Sequence, residues 1–351
     1  MKTILKAPLT ALMLAVMVIA AALILALPKD DFSDMENRVL ATVDWRAGDI
    51  DQQLERWLAD HFPLHDDLVR VQASLSAALG VRQQKNVLIG SGGWLLEEPQ
   101  GDVTAAAAAN ARALGELQKS AGVPFTLMLI PSSAQYVNRL PALYQNADQT
   151  AVIRRIGEIS GLEALEAAVG GEEDYYRTDH HLTARGTRAC YERLCAAWGL
   201  TPREAEPYTA EGFLGSYWSK APLFQVAAEA FTADLPAGVG LAVDGETRDS
   251  LLQAERLAGR NKYAALIDGT YGHAVLTNPR GEGALVILCD SYANALAPML
   301  ARHYARIDLV DPRYFSGSLS DLIAESGAER ALVYFGLNTF STSRALVLLE
   351  E

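Results

Sequence analysis

Cysteine is scarce, with three in 351 residues. Cys190 and Cys195 are five apart in a stretch of helical periodicity, and Cys289 lies in an apolar run. None has metal-ligand spacing, and an odd number does not make a disulfide framework. All three read as buried apolar fillers, a common role of the free thiol. Positive charge is short as well: 30 Lys and Arg stand against 43 Asp and Glu, for a formal net charge of −13. A sequence-independent nucleic-acid binder needs a cationic footprint for phosphates, so that class is excluded. Aspartates at strand ends, which a metal-dependent phosphoesterase collects in a set, are missing apart from Asp290. The sequence is rich in apolar side chains, 50% of the total. That excludes wholesale disorder and provides for one large domain or two ordinary ones.

The N-terminus carries the clearest physical signal. From Leu9 to Leu27 only Thr10 interrupts an apolar run, about the length that crosses a bilayer as a helix. Lys2 and Lys6 precede it; Lys29, Asp30, Asp31, Asp34 and Glu36 follow. This asymmetry predicts a cytoplasmic tip and transmembrane signal-anchor over 1–27, with the remaining chain exported. A cleaved signal peptide is the alternative, since small residues such as Ala26 lie near the end of the run.

Residues 28–98 read as a membrane-proximal part: two amphipathic helices broken at Pro63, with stripes Leu54, Trp57, Leu58 and Leu68, Val71, Leu75, Leu79. A strand pair with a glycine turn, NVLIGSGGWLLEE, then follows. From 99 to 351, helices alternate with apolar strands such as Phe125–Ile130, which predicts an α/β fold with a parallel sheet. An irregular stretch at about 200–283 reads as an insertion. In it, Tyr217, Trp218 and Lys220 could form a carbohydrate-facing lip.

Three segments carry chemistry. In YYRTDHHLTARGT, Thr183 can cap a helix beginning at Ala184, which leaves Asp179, His180 and His181 on a loop held by a rigid element. In ALVILCDSYANALAPML, a buried strand ends at Asp290-Ser291 before a helix, where ligands of open α/β sheets bind and backbone amides can hold an oxyanion. In RALVYFGLNTF, another strand ends at Gly336-Leu337-Asn338, whose amide can donate to developing negative charge. A histidine base, an aspartate to orient it, a serine nucleophile and an asparagine donor are the parts of acyl transfer. Asp179 and His181 are the assigned pair, with His180 the second choice of base. Arg313 and Tyr314, in DPRYF, are further candidates for binding donor or glycan.

These blocks, with FSDMENRVL, DHFPLHDD and GSGGWLLE in the same order, resemble the DHHW protein family of the SGNH-hydrolase-like superfamily. They are more distantly similar to periplasmic components of alginate O-acetylation. Three departures stand out: Leu182 replaces the family's tryptophan, Cys289 precedes Asp290 where glycine is usual, and Thr339 follows Asn338 in place of aspartate. The resemblance implies a circularly permuted SGNH-hydrolase-like parallel sheet flanked by helices. It also implies a serine O-acetyltransferase or acetylesterase acting on a cell-envelope or exported polysaccharide, without cofactor or metal. An MBOAT-type membrane O-acyltransferase is implied as the acetyl-supplying partner. The alternative is a non-catalytic membrane-tethered scaffold in a polysaccharide-modification complex.

Overall fold

The computed structural model describes residues 8–349 except 34, 36, 37, 47 and 205, with the side chains of Leu25 and Glu206 also left out. The chain divides into two compact units, one of residues 1–81 with 222–225, the other of 82–221 with 226–351.

In the first unit, α1 (Pro8–Ala26) has 19 residues, or about 28 Å at 1.5 Å per residue. Its large side chains point outward, Leu9 70%, Met17 65% and Val18 67% exposed. Among the described residues no helix is long and apolar enough to cross a membrane, so the expected span is not shown. Lys2, Lys6, Asp34 and Glu36, four of the charges that set the expected topology, lie outside the described residues. Two further helices, α2 (Ile50–Asp60) and α3 (His65–Ala78), flank Pro63 as expected. Asp60, at the end of α2, receives the Arg38 guanidinium at 2.6 Å and the Ala41 amide at 2.7 Å. The hydrogen bond from Arg38 draws its pKa down to about 2.

The second unit is built on one eight-stranded sheet. Its strands in chain order are β1 (Phe125–Ile130), β2 (Glu163–Ala164), β3 (Gly240–Val243), β4 (Glu246–Arg248), β5 (His273–Thr277), β6 (Ala284–Cys289), β7 (Arg306–Val310) and β8 (Ala331–Gly336). They lie in the order β4-β3-β5-β7-β6-β8-β1-β2. From β7 to β2 every pairing is parallel; from β4 to β7 every pairing is antiparallel. Every residue of β1, β6 and β8 is buried, as in parallel strands covered on both faces. Alternate residues serve opposite cores: Leu285, Ile287 and Cys289 face one, Ala284, Val286 and Leu288 the other, the period of two inherent in a strand. The first core takes Tyr191 and Leu194 of α6 (Ala184–Trp198) and Leu296 and Leu300 of α7 (Ala293–Leu300). The second takes Leu114 of α4 (Ala105–Ala121) and Ile156 of α5 (Gln149–Ser160).

The segment expected as an insertion supplies β3, β4 and β5, so the sheet is mixed rather than wholly parallel. Asp244 and Gly245 join β3 to β4 with φ of 46° and 86°, the two-residue connection that antiparallel strands favour. All three cysteines are buried and free.

Candidate active site

The site stands at the carboxyl ends of β6 and β8. Thr183 caps α6 by accepting from the Gly186 amide. One turn before it, an isolated bridge pairs Tyr175 with Leu182 and closes the intervening residues into a tight loop. The Glu229 carboxylate anchors the start of that loop, accepting from the Thr178 amide at 2.9 Å and its hydroxyl at 2.7 Å. Leu182 is 2% exposed in the core, so it fills the place where tryptophan was expected.

Asp179, His181 and Ser291 form one hydrogen-bonded line. His181 Nδ1 lies 2.5 Å from Asp179 Oδ1, and its Nε2 lies 2.8 Å from Ser291 Oγ. The His181 amide also donates to Asp179 Oδ1 at 2.9 Å, while Oδ2 receives the Ser216 amide at 2.5 Å. Asp179 is 1% and His181 5% exposed. Burial works to raise the Asp179 pKa, but the two imidazoles and these donors overcome it and hold the carboxyl well below its ordinary range. A carboxylate fixed on Nδ1 leaves Nε2 as the acceptor that faces the serine.

His180 is placed differently. Its Nδ1 meets Ser216 Oγ at 2.8 Å and its ring packs on His181, centroids 3.8 Å apart. Burial, and next the charge of His181, lower its pKa to about 4. His180 is thus the uncharged neighbour of the hydrogen-bonded line. A histidine whose folded pKa lies below its unfolded value binds its proton more readily when unfolded, so protonation favours unfolding. His180 alone should therefore lower folding stability as pH falls from about 6.5 to about 4, by up to about 1.4 kcal/mol per pH unit. The Asp179 contribution is lost only below the unfolded carboxyl value, outside that window. Denaturant unfolding at pH 4.5 and 7 should show a smaller pH dependence in His180→Gln than in the wild type; equal slopes would remove this account.

Asp290 braces the two strand ends. It is 3% exposed; Oδ1 accepts from the Tyr292 amide at 3.1 Å and Oδ2 from the Gly336 amide at 3.1 Å. Burial raises its pKa. A side chain on Gly336 would come within 2.6 Å of the Tyr292 ring, so the close approach of the strand ends needs glycine there.

Asn338 donates its amide nitrogen to Glu97. Both residues line a polar cleft of about 600 Å³ with Tyr217, Lys220, Arg313 and Thr339. Arg313 holds Asp311 through Nε at 2.9 Å and Nη2 at 2.5 Å. Tyr314 is 56% exposed and lies under the Arg313 guanidinium. The expected carbohydrate lip needs correction at Trp218: the ring is 4% exposed and packs against Arg260, so its faces meet protein. Tyr217 is buried as well, and only Lys220 of the three is exposed.

Several residues of the site were not singled out in the sequence. The Tyr263 ring stacks on His181, centroids 3.6 Å apart and planes 9° off parallel, and its hydroxyl donates to the Ser291 carbonyl at 3.1 Å. The Tyr292 hydroxyl donates to the His180 carbonyl. Asp179, His180 and His181 offer three possible metal-ligand atoms within 4.8 Å of one another. In this arrangement those atoms hydrogen-bond to each other and to two serines, so an ion would have to compete with the Asp–His–Ser line.

No protein-family model and no curated protein matches the chain. Solved structures do. A DHHW family protein from Eubacterium siraeum DSM 15702 superposes with a TM-score of 0.63 at 20% identity, over 75% of this chain and 97% of that one. Bacillus cereus PatB1 with a sulfonyl adduct gives 0.60 at 16% identity, over 76% and 99% of the two chains. A second PatB1 structure gives 0.57 at 17% identity, over 74% and 98%. The chain therefore has the fold of a DHHW family protein and of PatB1, as the sequence resemblance implies.

Proposed function

We propose that this chain is a serine O-acetyltransferase or acetylesterase working outside the cytoplasm on a polysaccharide. The observation that carries the reading is the unbroken hydrogen-bonded line from Asp179 through His181 to Ser291. A serine hydroxyl is a weak nucleophile until a base takes its proton. Here His181 Nε2 accepts that proton as Oγ attacks the acyl carbon, and Asp179 stabilises the imidazolium. The oxyanion falls to the Ser291 amide and to the Asn338 N–H that Glu97 does not take, each such donor contributing about 3 kcal/mol in comparable sites. When the tetrahedral species collapses, His181 returns the proton to the departing group and leaves acyl-Ser291. A sugar hydroxyl or water then gives its proton to His181 and takes the acyl group, which restores the serine.

Support for a glycan acceptor comes from the polar cleft beside Asn338, whose lining of amides, hydroxyls and charged groups suits hydroxyl-rich rings. The reading includes a membrane tether on the strength of the sequence run from Leu9 to Leu27, with the catalytic unit exported and acetyl groups supplied by a membrane O-acyltransferase of the MBOAT type.

One experiment tests both the chemistry and the tether. Cells expressing the full chain are fractionated and treated with a fluorescent sulfonyl fluoride. A labelled band in the membrane fraction, absent in Ser291→Ala, is expected. An unlabelled wild type would leave a scaffold as the better reading, and a labelled band confined to the soluble fraction would remove the tether.

A further inference from the structure

We propose a second binding site, for a small oxyanion, in a pocket of about 390 Å³ where Arg203, Arg280 and Arg302 converge. It lies at the end of the sheet away from Ser291. Asn278, in its wall, follows β5, whose last residue Thr277 pairs with Arg306 at the start of β7, whereas Ser291 follows the end of β6. The inference does not depend on acyl transfer.

Charge sets this pocket apart. In a chain with net charge −13, arginines of this unit generally hold carboxylates: Arg188 holds Asp234, Arg306 holds Asp308 and Arg313 holds Asp311. The three pocket arginines hold none among the described residues. Arg280 Nη2 donates to the Ala237 carbonyl at 2.7 Å, and its amide donates to Asn278 Oδ1 at 3.0 Å. Arg203 donates from Nη1 to the Arg302 carbonyl and from its amide to the Tyr191 hydroxyl. Neutral partners fix these side chains in place without cancelling their charge. Glu204, at the rim, leaves its side chain 98% exposed, 4.0 Å from Arg188.

Arg302 is the decisive residue. It is 8% exposed, and neither Nη1 nor Nη2 has a hydrogen-bond partner. Asp234 and Glu204 attract it without an ion-pair contact, and a buried cation with no carboxylate in contact is costly. Burial accordingly pulls its pKa below the ordinary arginine value. Water could satisfy the N–H groups but would leave the charge. An oxyanion supplies both acceptors and charge, and guanidinium groups match the geometry of phosphate and carboxylate.

The test uses the purified full chain and thermal unfolding, with inorganic phosphate in one arm and a galacturonate trimer in the other, each against sodium chloride of equal ionic strength. A saturable rise in midpoint is expected in at least one arm. It should require at least tenfold more ligand in Arg203→Gln/Arg280→Gln, whose unliganded midpoint checks that the variant folds. In Arg302→Met the ligand-free midpoint should rise and the response should vanish, because the unpaired charge is gone. A response in the phosphate arm alone identifies a free small anion; one in the trimer arm identifies glycan carboxylates. If neither arm exceeds the chloride control, or if the double variant responds like the wild type, the site does not exist.

Discussion

An Asp179→Asn chain is expected to release acetate from an activated ester about 10³–10⁴-fold more slowly than the wild type while remaining folded. The size follows from the two oxygens of this carboxylate. Oδ1 takes His181 Nδ1 and the His181 amide, and Oδ2 takes the Ser216 amide. Asparagine has only one acceptor atom. With its oxygen toward His181, its NH₂ group faces the Ser216 amide, two donors in contact. With the amide reversed, its NH₂ faces Nδ1, and the ring must carry its proton on Nε2. Nε2 then donates toward Ser291 Oγ and cannot accept its proton. The first arrangement leaves a buried donor unsatisfied, at about 1–3 kcal/mol of stability; the second removes the base. Single-turnover acetate release and the unfolding midpoint, measured together, separate these costs. A rate within tenfold of the wild type would mean that His181 needs no carboxylate, and the proposed chemistry would fail with it.

The components of this site were legible in the sequence because each was signalled within a few residues. Thr183 precedes a helical pattern, two apolar strands end abruptly in polar residues, and Asp179 lies two positions from His181. Local signals of this kind persist whatever the rest of the fold does. What could not be read was set by packing across long separations. Tyr263 reaches His181 from the irregular segment, where nothing in the spacing marks a ring as stacked on an imidazole. Trp218 has the composition of a sugar platform, yet burial against Arg260 decides its use. The antiparallel side of the sheet did carry a signal, the Asp244-Gly245 pair directly after the apolar Leu241-Ala242-Val243, a hairpin turn of the common kind. Glu97 shows the opposite limit: it meets Asn338 across 241 positions, and no pattern in either stretch announces the contact.

Gly215 is a position where a single methyl group should strike the site directly. Its φ of −83° is open to any residue, so glycine is needed here for space. A Cβ at 215 would lie 2.2 Å from the Asp179 Cβ and 2.3 Å from its Oδ2, distances no relaxation of a side-chain tip can absorb. The neighbouring backbone is held as well, since the Gly215 amide donates to Thr178 Oγ1 at 3.1 Å and the Ser216 amide to Asp179. In Gly215→Ala the carboxylate must swing away, losing the Ser216 amide and its alignment on His181 Nδ1 together. Activity should fall more than about 100-fold, the order expected when a reacting group is displaced by an ångström, and overpacking should remove about 1–3 kcal/mol of stability. Ser216→Ala is the control. It keeps the amide that serves Asp179 and removes only the hydroxyl that meets His180, so its rate should stay within about tenfold of the wild type. A folded Gly215→Ala chain with wild-type kcat/KM would mean that the Asp179 carboxylate is not needed where it lies, whereas a strong loss confined to Ser216→Ala would move the base to His180.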